Sequence, residues 1–461
     1  MENITLTKRL KDNQSYDKAY SFVDDVVDCE EKEISEQFWD GIIRDVHDIN
    51  RLLNQHKIIT IPHRNSYKNN EIFTRINDKL YTYNWVGVIS NRSEDGNNYR
   101  IEITSRFDTG EKQFFLLYLL CSVCGINVFD ISVNSEMESD YIPVLVILFL
   151  QKLVEAYGDG LYKEYVRKEY NDYNFKGAMD INRHIKINNL FVGKTAYSTR
   201  EYSYDNEILC LIRQTIDYIV DYYPAIWKGY ISNNSIVNEV VEIIETATPS
   251  YRVNINYAEL LKCRKEITNP MYKNYDDARK LALMILYELG QNIFDNADED
   301  SFGILIDISW LWEEFVAIKL LEGKRYCHLL TDGSKGSLQW ADREYWYPDF
   351  LEIDDENRRR NVFDAKYKFW KWNKDSDVHQ LLSYLFLTGG ESCGIIYPAD
   401  NNEEIIEYKV LNAFDSFYGE ASRMYKLPLF IPQNKNIGYI KYCEEIEEAI
   451  SNWKRCFNVI K

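Results

Sequence analysis

Apolar positions along this chain recur with two periods, and the switches between them divide it into three regions. In the first region Tyr99, Ile101 and Ile103 alternate with Arg100, Glu102 and Thr104. That is the period of a half-buried strand. The preceding run KLYTYNWVGVIS and the turn-rich residues Ser93 to Asn98 give it a hairpin context. Lys57–Ile61 reads as a short strand and Asn127–Val133 as another. Helical spacing marks Phe38–Leu53, Lys112–Cys124 (closed by Gly125) and the buried run Ile142–Tyr157, which ends near Gly158. Residues 1–160 are therefore expected to form an α+β region.

From 161 to 300 the period is mostly helical. Helices are expected over Leu161–Tyr170, Asp205–Tyr223 with Asp205 as N-cap, Val237–Thr246, Asn256–Ile267 and Asp276–Leu289. The last carries Leu281, Leu283, Ile285, Leu286 and Leu289 and stops at Gly290. Residues 176–206 interrupt the helices with a strand-like segment. Its Arg183, Lys186, Lys194 and Arg200 are open to nucleic acid or a partner, with ordinary surface as the plainer reading of each.

The third region, 301–461, opens with a helix over Asp307–Leu321. Its stripe of Ile308, Leu311, Trp312, Phe315 and Val316 must pack on something, and Glu313 and Glu314 lie beside that stripe. Two strand-like runs, 349–353 and 361–369, flank the acidic turn Asp354–Glu356 and are expected to pair as a hairpin. A helix capped by Asp375 or Ser376 then runs to about Leu387, and a strand Gly394–Tyr397 follows the Gly389–Gly390 break. Strand alternation through VFDAKYKF puts Asp364, Lys366 and Lys368 on one face and Phe363, Ala365, Tyr367 and Phe369 on the other.

Phosphodiester hydrolysis needs such a carboxylate and ammonium pair. The carboxylate holds Mg²⁺, a hard cation that takes oxygen ligands. The lysine serves the attacking water and offsets charge on the phosphate. Asp349, behind Pro348, supplies a second carboxylate, and the hairpin would bring it near Asp364. On the following helix Asp377, Gln380 and Tyr384 share a face. Glu313 is a third carboxylate able to complete a metal site from the preceding helix. The bland alternative is a surface hairpin with ordinary charges, since Pro-Asp and Asp-x-Lys both arise by chance.

Composition sharpens this only in part. The net charge of −19 excludes a surface that is nucleic-acid-binding throughout. Arg358–Arg360, Lys366, Lys368, Lys371 and Lys374 nevertheless crowd the motif, which suits a phosphate backbone, though the arginines also suit a solvated turn. The nine cysteines form no framework, and no secretory signal is visible in MENITLTKRLKDN, so a reducing cytoplasm is expected. Cys121 and Cys124 sit in the apolar run FFLLYLLCSVCG and read as helix core rather than a zinc site. The apolar run Ile142–Leu150 is too short to cross a bilayer. There is no GxxxxGK[ST] phosphate loop, so the chain is not expected to hydrolyse nucleotide.

The order Trp312-Glu313-x-Phe315-Val316, Pro348-Asp349, Asp364-Ala365-Lys366-Tyr367-Lys368 and Asp377-x-x-Gln380 resembles the PD-(D/E)xK nuclease core of the McrC family. These are the nuclease subunits of McrBC-type restriction systems, and the McrC-like subunit of LlaJI-type systems is similar. Trp85-Val86-Gly87-Val88-Ile89, the run Ile101 to Phe107, Lys176-Gly177 to Ile181 and Asp205-Asn206 extend the likeness. Where the family has Pro-Lys this chain has Ser105-Arg106, and it is long for the family. The resemblance implies a Mg²⁺-dependent DNA endonuclease domain with a mixed central sheet flanked by helices over 301–461. It also implies a partner-docking N-terminal region over 1–160 that stimulates a ring of McrB-like AAA+ GTPase subunits, and double-stranded DNA as substrate. Asp349 and Asp364 would hold the metal with help from Glu313, Lys366 would serve water and phosphate, and Gln380 would orient the site. A stand-alone repair nuclease of the same superfamily and a non-catalytic activator of an NTPase ring are the alternatives.

Overall fold

The computed structural model describes residues 5–16, 58–61, 71–76, 79–92, 98–108, 112–130, 142–190, 192–252, 263, 265–288, 302–322, 326–328, 337–353, 359–369, 375–410 and 422–460. The expected helix Phe38–Leu53 lies outside them, as do residues 256–262 and 264 of the expected helix Asn256–Ile267. Packing divides the chain into two compact units, one made of residues 1–140 with 294–461 and the other of residues 141–293. The first is discontinuous in sequence, so the N-terminal strands share a unit with the motif-bearing residues.

That unit holds a five-stranded sheet in the order Thr5–Lys11, Asn98–Thr104, Trp85–Arg92, Phe302–Asp307, Ile58–Ile61. The strands at 58–61 and 98–104 lie where expected, but Glu102 and Thr104 are buried along with Ile101 and Ile103, so the second is covered on both faces rather than half-buried. Phe302–Asp307 runs antiparallel to Trp85–Arg92 and parallel to Ile58–Ile61. Its apolar run GILI is continuous, which leaves helix and strand indistinguishable by period. Gly87 makes the pairing possible: it sits at φ +149, and a Cβ there would lie 2.0 Å from the Ile304 carbonyl oxygen. Phe114–Val123 is helical as expected. Asn127–Val133 does not extend as a strand where described; Val128–Asp130 is a 3₁₀ turn.

The unit's six-stranded sheet has the order Tyr326–His328, Phe350–Ile353, Arg359–Ala365, Ser392–Ala399, Arg423–Phe430, Ile406–Lys409. Phe350–Ile353 and Arg359–Ala365 form the expected antiparallel hairpin. The next two pairings are parallel and the last antiparallel, so the sheet is mixed. Helix Asp375–Thr388 makes the crossover between the two parallel strands 359–365 and 392–399. It packs Leu381, Tyr384 and Leu385 against Leu351, Val362, Cys393 and Ile395. Ser392–Ala399 is buried along its whole length, as a central strand covered on both faces must be. Helix Tyr439–Ile460 buries Tyr442, Cys443, Ile446, Ile450, Trp453 and Phe457, a seven-residue repeat of three- and four-residue steps.

Helix Ile308–Phe315 follows Phe302–Asp307 directly. Asp307 caps it by accepting from the Ser309 and Trp310 amides at 3.0 and 3.2 Å. The helix widens into one π turn over Val316–Leu320, closed by the Leu321 amide donating to the Val316 carbonyl. Its stripe is buried as the spacing requires.

The other unit packs the buried helix Ile142–Gly158 with Glu207–Tyr222, Pro224–Asn233, Ser235–Ala247 and Lys273–Glu288. The expected helix over Leu161–Tyr170 is a strand instead. Glu164–Asp172 alternates half-buried and exposed positions and pairs antiparallel with Thr195–Ser203 along nine residues. The helix N-cap is Asn206, accepting from the Leu209 amide at 3.0 Å, while Asp205 accepts from the Ser250 hydroxyl at 2.5 Å. Arg183 is tied into the hairpin, donating to the Tyr170 and Tyr197 carbonyls and pairing with Glu169 at 3.1 Å. Helix Ile181–Ile187 buries none of its residues, and Ile181, Ile185, Leu190 and Val192 are exposed together at this end of the hairpin. Exposed apolar patches of this kind mark interaction surfaces. Among the described residues no helix is long and apolar enough to cross a membrane.

Candidate active site

The hairpin Phe350–Ile353 and Arg359–Ala365 brings the motif together. Asp364 is 2 % exposed, and Lys366 reaches back so that its Nζ lies 2.6 Å from Asp364 Oδ2. Asp349, just before the first hairpin strand, accepts the Ala365 amide on its Oδ2 at 2.7 Å. Its carboxylate is therefore clipped to the backbone between Asp364 and Lys366. The Lys366 amide donates to the Ile396 carbonyl at 2.9 Å, carrying the parallel pairing one residue past the strand. Trp312 Nε1 donates to the same carbonyl at 3.4 Å, which ties the Glu313 helix to the site.

The electrostatics follow from this crowding. Burial, then the charges of Asp364 and Glu313, push the Asp349 carboxyl well above the usual carboxylate range, and Lys366 opposes them. Burial pulls the Lys366 ammonium down, but Asp364 and Asp349 outweigh it and hold the group raised and charged. Two neighbouring carboxylates, one buried and one half-buried, are best accommodated by a proton or a cation between them. That chemistry fits Mg²⁺, which commonly binds through one or two carboxylates and keeps its waters. Among the described residues no three His, Cys, Asp or Glu side chains converge as a ready ligand cluster. Glu313 thus stands as an electrostatic neighbour of Asp349 rather than as a member of a preformed cage.

The following helix contributes indirectly. Gln380 Nε2 donates to the Tyr384 hydroxyl at 2.7 Å. Burial raises the Tyr384 phenol, and the charges of Asp364 and Asp349 add to it, so Tyr384 lies within the field of the carboxylates. Gln380 meets the site through Tyr384. Asp377 pairs with Lys368, and its charge also supports Lys366. Because the strand stops at Ala365, alternation does not carry through 366–369: Tyr367 is buried, but Phe369 is 37 % exposed.

Tyr367 and Phe369 instead meet the N-terminal sheet. Tyr367 Oη lies 2.6 Å from Ser105 Oγ, the Arg106 guanidinium sits 5.0 Å over the Tyr367 ring, and Phe107 packs on Phe369 at 4.4 Å. Arg106 is itself fixed by a buried pair with Asp12. Spacing alone did not mark Ser105–Phe107 as part of the site. The available signal was its place after the Ile101–Ile103 strand and its three consecutive polar, cationic and aromatic side chains.

A family model described as McrBC 5-methylcytosine restriction system component matches residues 80–398. The chain belongs to the McrBC family. The matched span contains the candidate residues above from Glu313 to Tyr384, and the Ser105–Phe107 run as well. Among solved structures, a refined half-complex from a tetradecameric assembly of Thermococcus gammatolerans McrB AAA+ hexamers with bound McrC is 13% identical, covers 99% of this chain and 100% of that one, and has a TM-score of 0.47. The cryo-EM structure of the Thermococcus gammatolerans McrBC complex is 14% identical, covers 71% of this chain and 90% of that one, and has a TM-score of 0.30. At those scores neither alignment carries a residue-level argument. No curated protein matches the chain.

Proposed function

We propose that this McrBC-family chain is the DNA endonuclease subunit of a modification-dependent or LlaJI-type restriction complex, hydrolysing phosphodiester bonds at Asp349, Asp364 and Lys366. The observation that carries the reading is the half-buried Asp349 carboxylate beside the buried Asp364, with the Lys366 ammonium 2.6 Å from Asp364, all held on one hairpin of a mixed sheet. Family membership places the chain in a restriction system.

Asp349 and Asp364 would hold Mg²⁺, and Glu313 would add negative potential from behind. The bound ion supplies Lewis acidity and lowers the pKa of a coordinated water. Lys366, kept charged by its two carboxylates, offsets charge on the phosphate and orients the water. Asp349 keeps its orientation through the Ala365 amide, so the two ligands stay in register with the strand that carries Lys366. Tyr384 and Gln380 form the wall of the site on the crossover helix.

The partner in this reading is a McrB-like AAA+ GTPase ring. The compared Thermococcus gammatolerans half-complex contains McrB AAA+ hexamers with bound McrC. Two surfaces here suit such a partner: the N-terminal region named by the resemblance, and the exposed apolar end around Ile185 and Leu190. Asp364→Ala and Lys366→Ala should each abolish Mg²⁺-dependent DNA cleavage, by about 10²-fold or more. Co-purification with a McrB-like NTPase partner should be unaffected. Cleavage surviving in both variants would refute the site.

A further inference from the structure

A second hairpin, Leu338–Ala341 paired with Glu344–Trp346, stands against the crossover helix beside the site. Leu338 anchors it: the side chain is fully buried in the cluster that contains Tyr384 and Val362. From that anchor an aromatic row leads outward. Tyr384, 5 % exposed, meets the edge of Trp346 at 6.1 Å, and Trp346 stacks on Trp340 at 5.7 Å with ring planes 30° apart. Exposure rises along the row to 37 % at Trp346 and 48 % at Trp340. Its inner end lies in the field of Asp349, Asp364 and Lys366.

Indoles left in water at this density are costly unless something covers them. Charge narrows the choice of what does. The turn and second strand carry Asp342 and Glu344 against a single Arg343, so the hairpin does not attract a phosphate backbone. Its complement is an uncharged planar ring, and a nucleobase is the planar ring that arrives with a phosphodiester. In a duplex those ring faces are already stacked on each other. They become available only where bases are unpaired or turned out of the helix.

We infer that Trp346 and Trp340, backed by the buried Tyr384, form a stacking platform for unpaired bases of the strand whose phosphate enters the Asp349–Asp364 site. The inference rests on the nuclease reading and narrows its substrate to DNA that is single-stranded or locally opened at the cut. Trp340 and Trp346 act as positioning residues, holding the nucleotides that flank the scissile phosphate.

The test uses the full chain in EDTA, where metal-dependent cleavage is stopped. Anisotropy of fluorescein-labelled oligodeoxythymidylate and of a duplex of equal length gives the two affinities. Trp340→Ala should weaken single-strand binding roughly 5- to 100-fold, the range set by the loss of one base–aromatic stack, and leave duplex binding within about twofold. Trp340→Phe should restore most of it. Trp346→Ala should act in the same direction, but it also removes a contact to Tyr384, so Trp340 is the deciding position. The inference is overturned if the wild-type chain does not bind the single strand, if Trp340→Ala leaves that affinity unchanged, or if both affinities fall together. Failure of the nuclease reading has a different signature: Mg²⁺-dependent cleavage that survives Asp364→Ala.

Discussion

Asp108 is a carboxylate whose environment works against its charge. It is buried, its Oδ1 accepts the Phe115 amide at 2.7 Å, and its Oδ2 has no hydrogen-bond partner among the described residues. Burial pushes its pKa from 3.8 to about 7, against the lowering effect of the Phe115 and Leu116 amides. The folded protein therefore binds this proton more tightly than the unfolded chain does. Stability from the group is complete below the ordinary value of 3.8 and is lost as pH rises from there to about 7. Asp108→Asn copies the protonated form at every pH. Its stability advantage over wild type should grow with pH by up to about 1.4 kcal/mol per unit and level off near neutrality. Urea unfolding at several pH values between about 4.5 and 8 measures this, and a gap that does not change with pH would refute it.

Elements were legible from sequence where one period dominated. The alternation at Tyr99–Thr104, the stripe on Ile308–Phe315 and the order of hairpin, helix and strand around Asp364 all correspond to observed elements. The failures have local causes. Glu164–Asp172 presents Tyr165, Val166 and Tyr170 among charged residues, so helical and strand spacing compete, and its pairing with Thr195–Ser203 decides for the strand. Phe302–Asp307 is apolar without alternation, and its role depends on a partner strand far away in sequence. Of the candidate site, the Asp349–Asp364–Lys366 group was readable because all three lie on one hairpin. The Ser105–Tyr367 contact was not, because it joins residues with no sequence proximity.

Gly87 shows how strictly that distant pairing is specified. A methyl group at this position would meet the Ile304 carbonyl at 2.0 Å on a backbone that L side chains rarely adopt. Gly87→Ala should cost about 3 kcal/mol or more, because neither strand can move without breaking its ladder. Thermal unfolding should show a lowered Tm. An unchanged Tm would mean that the Phe302–Asp307 strand is not packed against Trp85–Arg92 as described.

For the whole molecule, the division into residues 1–140 with 294–461 and residues 141–293 sets what can fold alone. The middle unit has its own apolar interior, including Ile147, Phe149, Leu209, Ile212, Leu281 and Ile285. Residues 141–293 expressed by themselves should therefore show a cooperative thermal transition with strong helical circular dichroism. A broad, non-cooperative melt would refute their independence.

The position of Phe302–Asp307 between Trp85–Arg92 and Ile58–Ile61 also orders events in time. On the ribosome, the middle unit emerges whole while the first sheet still lacks an inner strand. That strand arrives with the helix bearing Glu313, and the hairpin with Asp349 and Asp364 comes later still. A chain halted anywhere before residue 302 thus has neither a closed N-terminal sheet nor a carboxylate pair. Interrupted synthesis therefore yields a fragment without the proposed site, which is completed only after the scaffold that holds it.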